Sequence, residues 1–384
     1  MATVIVSPFD VANFPGGGGH FWVYMQYAQG LRRLGCEVYW LEQFRPGKDP
    51  DQDTRAIATF FERMDRFGLK GRVLLYRLDD GAGGPIHWIG VEPRVAEAVL
   101  RRADLVLNFH HAIDPRMLAC TRRTAFVDID PGLTQTWIST GALRVPPHDA
   151  YFTIGETVGT PAARFPDNGL LWRHIHPPIC LDLWPYVYEP RSATFTTVAG
   201  WWSGKWIKVI EDGKEVLYDN NKRVAFLQCV ALPRMTNQPL ALALLLANGD
   251  VVDRALLEGH GWRVHDAREV ASTPERYQSY IQESRGEWSC AKPVFVKFQN
   301  AWVSDRTVCY LASGKPVVVQ DTGPSAYLPD GEGMFRFSTL ESAAAALETI
   351  NADYERHCRA AREIAAAHFD AEQILAGMLH EALP

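Results

Sequence analysis

The sequence predicts an α/β protein of two similar halves, each a mostly parallel sheet wound by helices, facing one another across a cleft. Three observations carry this. Short β-branched runs alternate with amphipathic helical stretches along most of the chain, the pattern of strands joined by crossover helices. Six prolines between Pro161 and Pro190 break that rhythm near the middle. And 384 residues are long for one core but comfortable for two. The expected division is 1–186, 187–368 and a terminal helix over 369–384.

Composition narrows the class. With 47% hydrophobic and 22% charged residues and a net charge of −6, the chain reads as globular and mildly acidic, without the basic runs that track nucleic acid. Seven cysteines, an odd number without a Cys-x-x-Cys pair, point to reduced thiols in a cytoplasmic protein. The first residues lack a basic leader, and no apolar run approaches the ~18 residues of a membrane span.

In the first half, Thr3 to Pro8 reads as a strand and Pro15 to His20 as a glycine-rich loop. Phe21, Tyr24, Met25, Ala28, Leu31 and Leu34 then recur at helical spacing, and Gly35 ends the helix. Strands follow over Glu37–Leu41, Gly71–Arg77, Asp104–Phe109 and Phe126–Asp130, with Tyr151–Gly155 as the last; Gln43–Arg66 and Pro93–Arg102 are helical. Asp128 and Asp130 stand at a strand end. Residues i and i+2 of a strand share a face, so this pair arises easily by chance and no metal is expected on it. His110, His111, His174 and His176 read as cleft wall or surface, because no third-ligand spacing accompanies them.

The second half opens with a strand at Thr194–Ala199 and a loop through Trp201, Trp202 and Lys205, and Lys205 or Lys222 is a candidate phosphate cation. Asp212-Gly213 predicts a type I′ hairpin between Trp206–Ile210 and Lys214–Tyr218, placing three tryptophans near the cleft to stack on a ligand or pack on their own domain. Asn221–Leu232 and Asp250–Leu257 read as helices, Leu240–Leu246 and Trp262–His265 as strands, and Thr273-Pro274 as a helix start. Glu287 to Lys292 is expected to be a loop at the cleft mouth, with Lys292 reaching phosphate and Glu287 a hydroxyl. A strand is expected at Phe295. Ser304 then caps a short helix that Gly314 and Pro316 end, and the strand Pro316–Gln320 turns at Asp321-Thr322-Gly323. A helix N-terminus at the mouth of a parallel sheet suits a diphosphate, and Arg306 would add a forked cation. Capping boxes at Ser338-x-x-Glu341 and Asp370-x-x-Gln373 open the last helices.

Two stretches carry a family resemblance. Arg306-Thr307-Val308-Cys309-Tyr310-Leu311-Ala312-Ser313-Gly314-Lys315-Pro316-Val317-Val318 resembles the donor-binding helix of glycosyltransferases of the GT-B fold. Those enzymes commonly read Arg, two residues, Glu-Ala-Leu-Ala-Ala-Gly, one residue, Pro-Val. Cys309 stands where they have Glu, a residue that typically binds ribose or sugar hydroxyls, so Asp305 or Asp321 would take that task here. Gly19-His20 with Gly30–Val38 is similar to the opening loop and helix of the inverting family 1 type.

The resemblance implies two facing Rossmann-like domains, a terminal helix crossing back to the first, and metal-independent transfer of a sugar from a nucleoside-diphosphate donor such as a UDP-sugar to a hydroxyl acceptor. It implies His20 as general base, oriented by one of Asp104, Asp128 and Asp130, of which Asp128 is chosen. Gly18, Gly19, Lys205, Lys292, Ser304, Asp305, Arg306, Asp321, Thr322 and Gly323 would bind the donor; His110, Asp130 and Gln135 would face a small-molecule or glycan acceptor. No cofactor beyond the donor is expected. An epimerase of the same fold and a non-catalytic nucleotide or sugar sensor are the rivals, while the lack of Gly-x-Gly-x-x-Gly disfavours an NAD enzyme.

Overall fold

The computed structural model describes residues 1–79, 81, 83–202, 206–211 and 214–383. Among them, eight strands build the first sheet: β1 (Thr3–Ser7), β2 (Glu37–Gln43), β3 (Val73–Leu78), β4 (Ile86–Ile89), β5 (Leu105–Asn108), β6 (Thr124–Asp128), β7 (Ala150–Thr153) and β8 (Trp172–His174). Their order is β4-β3-β2-β1-β5-β6-β7-β8, and only β4 runs antiparallel to its neighbour. The second half contributes β9 (Phe195–Gly200), the antiparallel hairpin β10 (Trp206–Glu211) and β11 (Lys214–Asp219), then β12 (Leu240–Leu245), β13 (Arg263–Asp266), β14 (Gly286–Ser289), β15 (Val317–Gln320) and β16 (Met334–Phe337). Its parallel sheet has the order β13-β12-β9-β14-β15-β16. In both sheets the winding reverses beside the first strand, between β1 and β5 and between β9 and β14. Such switch points open a crevice at the strands' carboxyl ends.

Several elements differ from expectation. The first helix is Gly18–Arg33, so Gly18 and Gly19 belong to its first turn rather than to a loop. A β-carbon on Gly18 would lie 2.3 Å from the Thr273 carbonyl oxygen, and one on Gly19 2.7 Å from the Tyr277 ring. These glycines therefore let the helix press against the other half. The strand expected at Phe295 is the helix Pro293–Phe298, whose Pro at the first position fits a helix start. Glu287 lies inside β14 rather than in a loop. The proline-rich stretch holds the three-residue strand β8, paired with β7. The Ala-rich run divides at Asp353 into Leu340–Ala352 and Tyr354–His368, and the first piece is capped by Thr339 with Ser342, not by Ser338 with Glu341. The expected I′ turn at Asp212-Gly213 lies outside the described residues.

The halves share a core. The helix Asp305–Ala312 is buried from Arg306 to Ala312, packed in one apolar cluster with Trp22, Trp184 and Tyr277. Trp22 spans the seam by donating its indole N–H to the Pro274 carbonyl at 2.9 Å. Ile207 and Val209 of the hairpin pack on Phe295, Phe298 and Leu133, tying the hairpin to both halves. The last helix, Ala371–Ala382, returns to the first half, where Ala371 and Leu375 fill the notch left by Gly30. All seven cysteines are free thiols. Among the described residues, no helix is long and apolar enough to cross a membrane.

Candidate functional site

A cleft of about 480 Å³ opens between the carboxyl ends of the two sheets. From the first half come Phe9 after β1, the first turn of the Gly18–Arg33 helix with His20, and Asp130 after β6; from the second come Gly200, Lys222, Arg268, Lys292, Trp302 and the Ser304–Arg306 turn. The cleft is thus a product of topology. Each wall is made of residues that leave strands pointing the same way.

On the first wall, His20 is half-buried and its Nε2 lies 2.6 Å from the Phe9 carbonyl oxygen. A carbonyl only accepts, so Nε2 must carry the proton and Nδ1 keeps a lone pair in the neutral ring. Burial pushes the imidazole below its usual range, while the Phe9 hydrogen bond and the charges of Asp305 and Asp10 pull the other way. Of these two nearby carboxylates, Asp10 follows β1 and Asp305 comes from the opposite half.

On the second wall, Ser304 caps its helix as expected, its hydroxyl accepting from the Arg306 backbone N–H at 3.3 Å. Asp305 occupies the first turn, where burial raises its pKa against the opposing pull of Arg306 and Lys222. The Arg306 guanidinium is largely spent: Nε donates to Glu287 at 2.6 Å and Nη1 to the Val198 carbonyl at 3.1 Å. The forked contact expected of it is made to protein. Lys292 reaches across the cleft to Asp130, Nζ to Oδ1 at 2.5 Å. Lys222, at the start of the Lys222–Gln228 helix, is pushed down to about 7 by burial and by the nearby charges of Arg306 and Lys292.

Other expected residues sit elsewhere. Asp128 is sealed, its oxygens accepting from the Thr134 hydroxyl at 2.7 Å, the Gln135 amide at 2.8 Å and the Thr153 hydroxyl at 2.9 Å. β6 ends at Asp128, and the turn beyond sends Asp130 outward while Asp128 is folded under the Leu133–Ser139 helix. Its oxygens are taken up there, so it does not orient His20. Gln135 is consumed in the same network, fully buried. His110 is buried beside Ser7 and off the cleft. Asp321, Thr322 and Gly323 form a structural turn: Asp321 accepts from the Gly323 N–H at 2.8 Å, and Thr322 clamps the Trp302 carbonyl. Gly323 has φ of 118°, and a β-carbon there would lie 2.8 Å from the Gln299 carbonyl oxygen. Trp201 is buried on Asp253 and Trp202 stands at the surface on Asp250, neither in the cleft. Lys205 lies outside the described residues. Cys309 is buried in the shared core, below the Asp305 turn.

Two cleft residues escaped a site assignment from sequence. Trp302 follows Gln299 and Ala301, which hold φ of 51° and 54°, and that left-handed backbone turns it into the cleft. Arg268 reaches it from the Ala267–Val270 helix. Nothing in the spacing of either residue pointed there.

No protein-family model matches the chain, and no curated protein matches its sequence. Solved structures do match its fold. An alpha-glucosyltransferase solved with UDP and a 13-mer DNA aligns over 99% of this chain and 99% of its own, with a TM-score of 0.63 and 10% identity. HepE from Anabaena, solved with UDP and glucose, aligns over 99% and 100% at a TM-score of 0.60 and 12% identity. A glycosyltransferase from Rickettsia africae ESF-5 aligns over 99% and 97% at 0.55 and 9%. The chain has the two-domain GT-B fold of these glycosyltransferases, end to end.

Proposed function

We propose that the protein transfers a sugar from a nucleoside-diphosphate sugar, a UDP-sugar foremost, to a hydroxyl acceptor, with no metal ion in the transfer step. The observation that supports this is one cleft with a neutral imidazole on its first wall and Lys222, Lys292 and Arg268 around a capped helix end on its second. Two of the solved structures of this fold hold UDP, one of them with glucose.

In this reading, the donor diphosphate lies over Lys222, Lys292 and the Ser304 helix end, and Lys292 exchanges Asp130 for a phosphate oxygen. His20 Nδ1 takes the acceptor's hydroxyl proton as the acceptor oxygen bonds to the anomeric carbon and the bond to the diphosphate breaks. Asp305 offsets the imidazolium charge that forms. The cations carry the charge that grows on the leaving diphosphate. Released by Lys292, Asp130 is free to accept from a sugar or acceptor hydroxyl.

A thermal-shift screen of nucleoside diphosphates, followed by labelled UDP-glucose with sugar and DNA acceptors, tests this. Stabilisation by UDP with label on an acceptor is expected. Conversion of the donor alone would instead mark an epimerase. Cys309, buried where the resemblance calls for a hydroxyl-binding glutamate, favours a sensor as second reading; that reading expects UDP binding without turnover across the acceptor panel. Absence of any nucleotide effect sinks both.

A further inference from the structure

Away from the cleft, three side chains of metal-ligating type converge where the halves meet. His174 ends β8, His176 follows two residues later, and Glu156 leaves the end of the adjacent β7. Among the described residues these three form the one such group, their ligand atoms within 4.8 Å of one another. The Nε2 atoms of both histidines are buried without a hydrogen-bond partner. Leaving a buried polar atom unpaired costs about 1–3 kcal/mol, so two converging on one carboxylate call for a ligand.

The surroundings hold the group in place. The His176 ring bonds the His368 backbone, and with Nε2 unpartnered that bond runs from Nδ1, as in metal sites whose second nitrogen is anchored. Tyr327 stacks on His174 with centroids 5.3 Å apart and planes at 17°. Glu156 accepts from the Ala326 N–H at 2.8 Å and from the Ser325 hydroxyl, which leaves lone pairs on its oxygens.

We propose that Glu156, His174 and His176 bind a divalent transition ion of the zinc class, which braces the end of the first sheet against the Ser325–Tyr327 segment of the second half. Two imidazoles and a carboxylate suit zinc better than magnesium or calcium, and leave the fourth position to water. Bonds of about 2.1 Å allow ligands at most about 4.2 Å apart, so closing on an ion takes only small side-chain movements. None of the three lines the cleft, so the site is independent of the transfer reaction.

The full chain, stripped with chelator and desalted, is titrated with Zn²⁺ by calorimetry and with Co²⁺ by visible absorption. One ion per chain is expected, with cobalt d–d bands saturating at one equivalent and a melting point that rises with added zinc. The His174→Ala/His176→Ala pair should lose all three signals, and Glu156→Gln should weaken binding about tenfold. His176→Gln, with its circular dichroism and melt in chelator unchanged, keeps the test valid should the alanine pair unfold. No binding at micromolar zinc, or equal stoichiometry in a folded His176→Gln protein, overturns the proposal.

Discussion

Arg306 and Glu287 form an ion pair sealed inside the second half, 2.6 Å apart, with side chains 7% and 0% exposed. One residue sits in a helix's first turn and the other in β14, so the pair locks the helix beneath the cleft to its sheet. Removing one member strands the other's charge in a dry interior. Arg306→Ala should therefore cost about 3–5 kcal/mol in urea unfolding. A loss under 1 kcal/mol would show that the pair is not the lock.

His20→Ala should lower kcat by about 10²- to 10⁴-fold while leaving UDP affinity within a factor of two, because the ring faces the acceptor side. In the unsubstituted protein the acid limb of the rate profile should fall below pH 6.5, the direction in which burial moves this imidazole. Single-turnover rates read both. An unchanged rate removes the base assignment.

Lys222, held at about 7, should make the proposed nucleotide binding pH-sensitive. The ammonium is charged below that pH and neutral above it, so affinity for UDP should fall about tenfold as pH rises from 6 to 8.5. Lys222→Arg keeps its charge and should flatten that slope. Calorimetric titration at several pH values decides it, and a parent slope equal to that of the arginine variant counts against Lys222.

Gly18→Ala drives a β-carbon into the Thr273 carbonyl at 2.3 Å, a rigid backbone atom. The halves must part to accept it. A loss of about 1–3 kcal/mol in unfolding free energy is expected, together with a raised KM for both substrates. Gly249→Ala, with open space around its β-carbon and outside the cleft lining, serves as the silent control.

Acid should destabilise the fold. Burial pushes His110 down to about 3 and His148 to about 4, whereas the unfolded chain titrates near 6.5. Below that value the unfolded state binds more protons, so stability is complete above pH 6.5 and declines as pH falls toward 4. Each group contributes a slope of about 1.4 kcal/mol per pH unit. Urea midpoints that stay flat from pH 7 to 4.5 would contradict this.

Local signals were enough to read the architecture. Alternating strands and helices, the Ser304 cap and the Asp370 cap all state local preferences of backbone and side chain, which survive folding. They misled where one residue type serves two ends: Pro293 opens a helix where a strand is expected at Phe295, and Gly18 and Gly19 lie in a helix's first turn, packed closely on the other half, rather than in a loop.

By itself, then, the sequence determined two wound sheets, a capped helix at a cleft and a returning terminal helix, because periodicity and caps depend on neighbours within a few residues. Tertiary structure alone decided which polar groups face solvent. It turned Arg306 to Glu287, sealed Asp128 under its own helix, brought Arg268 and Trp302 into the cleft, and set Glu156 beside His174 and His176. Those pairings join residues from separate strands and loops, and the cost of burying a charge or donor unpaired selects among them only once the chain has closed.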